Sequence, residues 1–511
     1  MYTRLGWFVG LACCSVAVGA EWSVDDDLAD NPDADFETIQ EAVDAAADFD
    51  IIHVSPGTYT SNSDAVVTLD NKYLVLQATH DSNQTIIDGQ DVRRGLAVDG
   101  GGSGGIYIIG FTITHCMAPD GESNEDQSGA ALFARSGLVE FLRCNITSNA
   151  ATGGEFSSGA MYCTDVDLVL EDCSMSANVA NYMSAGISAH ASNVTCRGCT
   201  FTNHQPIVGS GAGNGGVIEV RSGNGSSTLE LSQCSFTSNA STSKGVVDCW
   251  GDVVCSSTEF RDNTSFGSAL SMVIDTGATI EDCVFDGNKG FHFDSKWWGG
   301  LEGPGGAIYA HGGGFGQCNQ PGGSPVEIIN CDFLRNQSDD SGGAVYLVCG
   351  TFTVTDCLFH DNMSASSGGG LAVGLAYSLD ISDTTFVKNT ASWGSAARFG
   401  EIAVVPSLVR VEACSRASTW IDGPVISVID GDWIDEGDVC IMSICDPIPD
   451  DGHIGVHDLL AVLERYGESC EDCNDFRVDV CGNAANGESI GVVDLFDIEA
   501  VIVHWGEACD L

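Results

Sequence analysis

A six-residue unit, Cys-x-Phe-x-x-Asn, returns along this chain and limits what it can fold into more than any other feature. Clear copies are Cys234, Phe236 and Asn239; Cys283, Phe285 and Asn288; Cys331, Phe333 and Asn336; and Cys357, Phe359 and Asn362. Looser copies carry Cys144, Ile146 and Asn149, then Cys173, Met175 and Asn178, while Phe260 with Asn263 and Phe386 with Asn389 lack the cysteine. Most recurrences are about 24 to 29 residues apart, which is enough for three short strands and their turns. A repeat of that length predicts one coil of a three-sided solenoid. The expected fold class is therefore all-β: a right-handed, single-stranded parallel β-helix.

Strand geometry accounts for the residue types. Cys and Phe two apart point to one face, inward, where coils about 4.8 Å apart stack like side chains on like. Asn, three residues past Phe, falls at a bend that needs a residue tolerant of unusual backbone angles, and its amide can bond its counterpart one coil away. This predicts a structural ladder of Phe236, Phe260, Phe285, Phe333, Phe359 and Phe386 beside Asn239, Asn263, Asn288, Asn336, Asn362 and Asn389. Side chains of in-register parallel rungs point the same way and not toward one another. The cysteine column thus reads as free buried thiols rather than disulfides.

At 511 residues the chain exceeds the usual single globular core, as a stacking array can. With 43% hydrophobic residues it can bury a core, and with Asp+Glu 72 against Lys+Arg 19 it carries a net charge of -53. That charge excludes nucleic acid and anionic membrane surfaces as partners and favours cations or neutral sugars, or serves as a solvated coat. The first 20 residues read as a signal peptide: Arg4, an apolar run from Leu5 to Val18, and a small-residue cleavage site at Val18-Gly19-Ala20. Cys13 and Cys14 fit a lipidation pattern poorly. No later segment has the apolar run of a transmembrane helix, so the mature chain is expected to be secreted or held at a cell surface by a partner. The oxidising compartment predicts that some of the remaining cysteines pair.

The stretch from Asp35 to Ala47 places Phe36, Ile39, Val43 and Ala46 at helical spacing, with Asp35 to cap the first turn and Glu37 near its positive end. A buried strand, Ile51 to Val54, follows, and then a turn at Pro56-Gly57-Thr58-Tyr59. The string DFETIQEAVDAAADFDIIHVSPGTYT resembles the N-terminal cap of the pectate-lyase-like β-helix superfamily, in which such a helix plugs the cylinder. That superfamily holds lyases, hydrolases, esterases and non-catalytic adhesins, so the resemblance implies a fold and not an activity. A second repeated element, Ser158-Gly159-Ala160-Met161-Tyr162, Gly305-Gly306-Ala307-Ile308-Tyr309 and Gly342-Gly343-Ala344-Val345-Tyr346, joins the first. Together, over about 110 to 400, the two motifs resemble the polymorphic outer-membrane-protein repeat, which implies a cell-surface adhesion role. The C-terminal barrel of that family has no counterpart here.

The expected organisation is a signal peptide at 1–20, the β-helix at 21–439 and a small α-helical module at 440–511. In the module, Ile454-Gly455-Val456-His457-Asp458-Leu459 is echoed by Ile490-Gly491-Val492-Val493-Asp494-Leu495. This duplicated loop-helix unit resembles a dockerin, whose paired loops hold calcium and dock to a scaffold protein. The resemblance implies Asp451, Asp458, Asn486 and Asp494 as calcium ligands, although Pro447 and Pro449 stand where further ligands belong. Two outcomes stay open: calcium as the structural cofactor, or disulfides in its place.

Searches for chemistry return little. The glycine-rich run around Ser103 matches nucleotide and nucleophile patterns only because it is nearly all Gly. No carboxylate cluster stands out, although a groove assembled from separate coils leaves no trace in a linear reading. The irregular insertion where the repeat spacing doubles carries His292, Asp294, Trp297 and Trp298 and runs on to His311, and tryptophans beside polar groups suit stacking on sugar rings. The sequons at several ladder asparagines read as a by-product of Ser-rich turns. Two functions follow: a non-catalytic adhesin or matrix component that binds polysaccharide or a cell-surface component, and, as the alternative, a secreted polysaccharide lyase or glycoside hydrolase. In either, the C-terminal module serves as a tether.

Overall fold

The computed structural model describes residues 19–391 apart from 71, 100–104, 122, 124, 153–156, 182–183, 206–215, 224–225, 243–244, 292–304, 313–323, 375 and 383. It adds the backbone of three strands, Ala397–Phe399, Val409–Val411 and Ile426–Val428. The chain adopts the expected parallel β-helix: short strands pair in parallel with their counterparts one coil on. One wall is a 13-stranded sheet holding the Phe positions. The other two walls merge into a 24-stranded sheet, because Leu132–Leu142 and Met161–Glu171, 11 residues each, run unbroken through the corner between them.

The core is the predicted column. The rings of Phe236, Phe260, Phe285, Phe333, Phe359 and Phe386 are buried and stack nearly parallel, with centroids 4.6 to 5.2 Å apart, and Phe201 extends the stack at 4.5 Å. The 48-residue interval from Phe285 to Phe333 is a single coil with insertions, since Asn288 Nδ2 donates to Asn336 Oδ1 across it at 3.0 Å. Each ladder Asn also donates to the carbonyl of the preceding coil's Phe, as Asn263 does to Phe236 at 2.8 Å. Its Oδ1 in turn accepts the backbone N–H of the preceding rung, as Asn263 does from Asn239 at 3.0 Å and Asn239 from His204 at 3.1 Å. Buried amides are thus satisfied without water.

Three expectations need correction. The left-handed backbone lies on the residue before each ladder Asn, at Ser238, Asp262, Gly287, Arg335, Asp361 and Lys388 with φ of 53 to 67°, and not on the Asn. That residue makes the bend, which leaves the Asn side chain pointing inward. The capping helix is Ile39–Ala45, and Thr38, not Asp35, is its N-cap, its Oγ1 accepting from Glu41 N at 3.2 Å. Asp35 is instead engaged by the backbone N–H and hydroxyl of Ser23 at 2.9 and 2.8 Å, and Glu41, not Glu37, lies in the first turn. Finally, Gly57–Tyr59 is a strand and not a turn, because it pairs with Thr85–Ile87 one coil away.

The column cysteines Cys144, Cys173, Cys199, Cys234, Cys283, Cys331 and Cys357 are free and buried. Each thiol bonds the carbonyl two residues back, as Cys283 does with Glu281 at 3.2 Å. Thr258 and Thr384 take the same place in coils that lack Cys, and their hydroxyls accept the backbone N–H of Cys234 and Cys357 at 3.2 and 3.4 Å. Cys349, outside the column, is disulfide-bonded. Among the described residues no helix is long and apolar enough to cross a membrane.

Candidate functional site

Pleat alternation sets the outer face of the wall built from Ile187–His190, Ile218–Arg221, Gly245–Trp250, Ser268–Val273 and Ile308–His311. In the second of these strands Ile218 and Val220 point into the core, so Glu219 and Arg221 point out. Registration then builds two outward columns. One runs Ser188, Glu219, Asp248, Ser271, Tyr309, Tyr346; the other runs His190, Arg221, Trp250, Val273, His311, Val348.

Four of these side chains form one unit across two coils. Arg221 donates through Nε and Nη2 to Glu219 Oε1 on its own strand, and through Nη2 to Asp248 Oδ2 on the next at 3.4 Å. Its guanidinium lies flat on Trp250, 3.5 Å from the ring centroid. Although they face outward, Glu219 is 4% and Asp248 3% exposed. Burying two carboxylates around one guanidinium is costly unless every oxygen is matched. Here Glu219 Oε2, Asp248 Oδ1 and the Oγ of Ser271, next in the column, have no hydrogen-bond partner among the described residues. Burial pushes the Glu219 carboxyl above the usual carboxylate range, the charge of Asp248 adds to that, and Arg221 opposes it. On the other side, His190 is held below its ordinary value by burial and by the charge of Arg221. Its Nε2 lies 3.4 Å from Ser188 Oγ, and its ring packs against Tyr162 at 5.4 Å.

Farther along the face, Phe133 sits between two guanidinium groups, with Arg94 at 4.4 Å and Arg135 at 4.7 Å from its centroid. Arg94 donates to the carbonyls of Asp126, Ser128 and Gly129. Arg135 pairs with Glu125 at 3.1 Å, Asp99 at 3.6 Å and Asp126 at 3.8 Å. Elsewhere, Asp25, Asp26 and Asp27 cluster near the capping helix, but Asp25 accepts the backbone N–H groups of Asp27 and Asn31 and so closes a turn.

Of the residues predicted from sequence for sugar contact, the structure places His311 on this face, buried and two coils from Trp250. His292, Asp294, Trp297 and Trp298 lie outside the described residues, as do Asp451, Asp458, Asn486 and Asp494. The expectation that no carboxylate cluster stands out is corrected by Glu219 and Asp248. A signal existed: Ile218-Glu219-Val220-Arg221 and Val247-Asp248-Cys249-Trp250 alternate apolar with charged or aromatic residues, the period of a strand. Only the coil register shows that these stretches meet.

The family described as right-handed β-helix region matches residues 222–400. Among solved structures, the chain is similar to a mannuronic acid specific polysaccharide family 6 lyase enzyme from human gut microbiota, at 11% identity and a TM-score of 0.33, over 83% of this chain and 86% of that one. It is also similar to a rhamnogalacturonan lyase, at 13% identity and a TM-score of 0.29, over 96% of this chain and 100% of that one. No curated protein matches. What the matched family and the strand pairing establish is the fold, a right-handed parallel β-helix.

Proposed function

We propose that this is an exported carbohydrate-binding protein that takes a polysaccharide chain along the outer face running from Phe133 past Arg221 to Tyr346. The observation that carries this reading is the set of buried, unmatched oxygens on Glu219, Asp248 and Ser271. Such atoms call for donors from outside the chain, and sugar hydroxyls are donors of the right size and neutrality. The rings of Tyr162, Trp250, Tyr309 and Tyr346 along the same columns supply the apolar surface on which pyranose faces stack. With a net charge of -53, the protein repels polyanions such as nucleic acid. In this reading the C-terminal module, with calcium on Asp451, Asp458, Asn486 and Asp494, tethers the β-helix to a scaffold or cell surface.

The test is retention of the purified mature protein on a panel of immobilised neutral and acidic polysaccharides, with Ser271→Phe as the variant that fills the face. Retention of the wild-type protein on at least one polymer, weakened at least tenfold by Ser271→Phe, is expected. No retention on any polymer would overturn the reading.

A further inference from the structure

This inference rests on the carbohydrate reading and goes a step beyond it. We propose that the Glu219–Arg221–Asp248 unit hydrolyses the glycosidic bond of a neutral polysaccharide, with Glu219 as the proton donor and Asp248 as the group that receives the proton of the attacking water.

The charge of the face decides the substrate class. Arg221 is held by two carboxylates, Arg135 by three, and Arg94 by three backbone carbonyls. No guanidinium among the described residues of this face is left to receive the carboxylate of a uronic acid. Two buried acid side chains around one cation make the unit's formal charge negative, or neutral once one proton is held. A uronate ring would place a further negative charge against Asp248 in a water-poor site, whereas a neutral ring brings only hydroxyls to Oε2 and Oδ1. β-Elimination on a uronate needs its carboxylate neutralised and a base beside it, and the unit supplies no cation for the first task.

Hydrolysis is the chemistry that two inequivalent carboxyls perform. Arg221 binds Glu219 through Oε1 alone, so Oε2 is the atom left to carry a proton. Desolvation and the neighbouring Asp248 favour that protonated form. Asp248 sits one coil away, with Oδ2 toward Arg221 and Oδ1 unmatched. In the reaction the bond between the anomeric carbon and the leaving oxygen breaks, and that oxygen takes the proton from Glu219. The oxygen of a water molecule forms the new bond to the anomeric carbon, and its proton passes to Asp248. Proton exchange with solvent then returns both carboxyls to their starting state. Trp250, with one face against Arg221, holds the guanidinium in place as a positioning residue.

The experiment incubates the full mature chain with neutral polymers (β-glucan, mannan, xylan, galactan) and uronate polymers (polygalacturonate, alginate). New reducing ends, ultraviolet-absorbing unsaturated ends and retention of protein on polymer are scored together. Reducing ends from a neutral polymer, with no unsaturated ends from either group, are expected. Glu219→Gln and Asp248→Asn should each lower the rate at saturating polymer at least about 100-fold. Added formate or azide should restore part of the rate of Asp248→Ala, which a purely structural role would not allow. The product analysis needs only the wild-type chain, so it decides even if the variants fold poorly. Unsaturated ends from a uronate polymer would overturn the inference in favour of a lyase. Retention without cleavage would overturn it while leaving the binding reading intact, and neither retention nor cleavage would remove both.

Discussion

One residue breaks the asparagine ladder, and its chemistry is visible because the ladder is so regular. His204, fully buried, occupies the rung between Asn178 and Asn239. Its Nδ1 lies 3.1 Å from Asn239 Oδ1, an acceptor, and its Nε2 lies 3.4 Å from Asn178 Nδ2, a donor. The neutral ring with its proton on Nδ1 satisfies both; the doubly protonated ring would oppose a donor with a donor. Burial, only partly offset by Asn239, brings its pKa down to about 4. The unfolded chain then binds a proton that the folded chain refuses between about pH 6.5 and pH 4, so stability falls as pH drops through that window and levels off below it. The loss attributable to His204 is about 3 kcal/mol. Replacing it by the rung's usual residue, His204→Asn, should remove that part of the acid sensitivity. Melting temperatures of both proteins at pH 7 and pH 4.5 check this: the gap between them should widen at low pH, and equal acid losses would refute the assignment. The ladder was legible from spacing alone. His204 was not, although it stands three residues past Phe201 where the repeat asks for Asn, because a change of residue type hides a rung that geometry still occupies.

Among the elements, the corner that precedes the Phe strand shows how much the repeat discloses and where it stops. A left-handed residue turns the chain, for example Asp282 at φ 56° or Asp356 at φ 54°, and a small inward side chain follows. Cys fills that place in most coils and Thr in two, because either can bond the carbonyl two residues back, as Thr258 does with Ser256 at 2.9 Å. Burial pushes the thiol of Cys163, outside the column, up to about 12, and the column thiols, all buried, are shielded from reagents in solution. Two outcomes follow for the column. Without reductant, alkylating reagent should leave Cys144, Cys173, Cys199, Cys234, Cys283, Cys331 and Cys357 unmodified in the native protein and label all of them once denatured; peptide mapping that finds them resistant after denaturation would mean disulfides. Cys283→Thr should cost less than about 1.5 kcal/mol in denaturant titration, whereas Cys283→Leu should cost about 1 to 3 through overpacking. Alternation and repeat period exposed these strands because a buried column demands the same residue type in every coil. The strand at Gly57–Tyr59 and the cap at Thr38 escaped because each depends on a partner 12 to 28 residues away, Asp35 being drawn off by Ser23 and Tyr59 opposite Ile87.

For the molecule as a whole, the candidate site and the charge are both properties of stacking. Glu219 and Asp248 become neighbours only because the intervening coil closes in register, and loop lengths between equivalent strands vary enough to hide that from a linear reading. The same stacking lines up acidic residues of successive coils at about 4.8 Å. A net charge of -53 must then oppose the folded array, since the unfolded chain can spread it. Ion pairs such as Arg335 and Arg261 on Asp286 offset this locally, but Lys+Arg 19 cannot match Asp+Glu 72. Added sodium chloride should therefore raise the melting temperature from low ionic strength and flatten beyond about 0.15 M, where the screening length of about 8 Å spans fewer than two coils. Calcium at equal ionic strength separates general screening from specific binding. If the C-terminal loops hold the ion, calcium should raise the unfolding temperature of that module further, and Asp458→Ala with Asp494→Ala should abolish only that increment, leaving the sodium chloride response unchanged. A calcium increment that survives both substitutions would place the ion elsewhere, and no increment at all would mean that the duplicated loops hold their shape without metal.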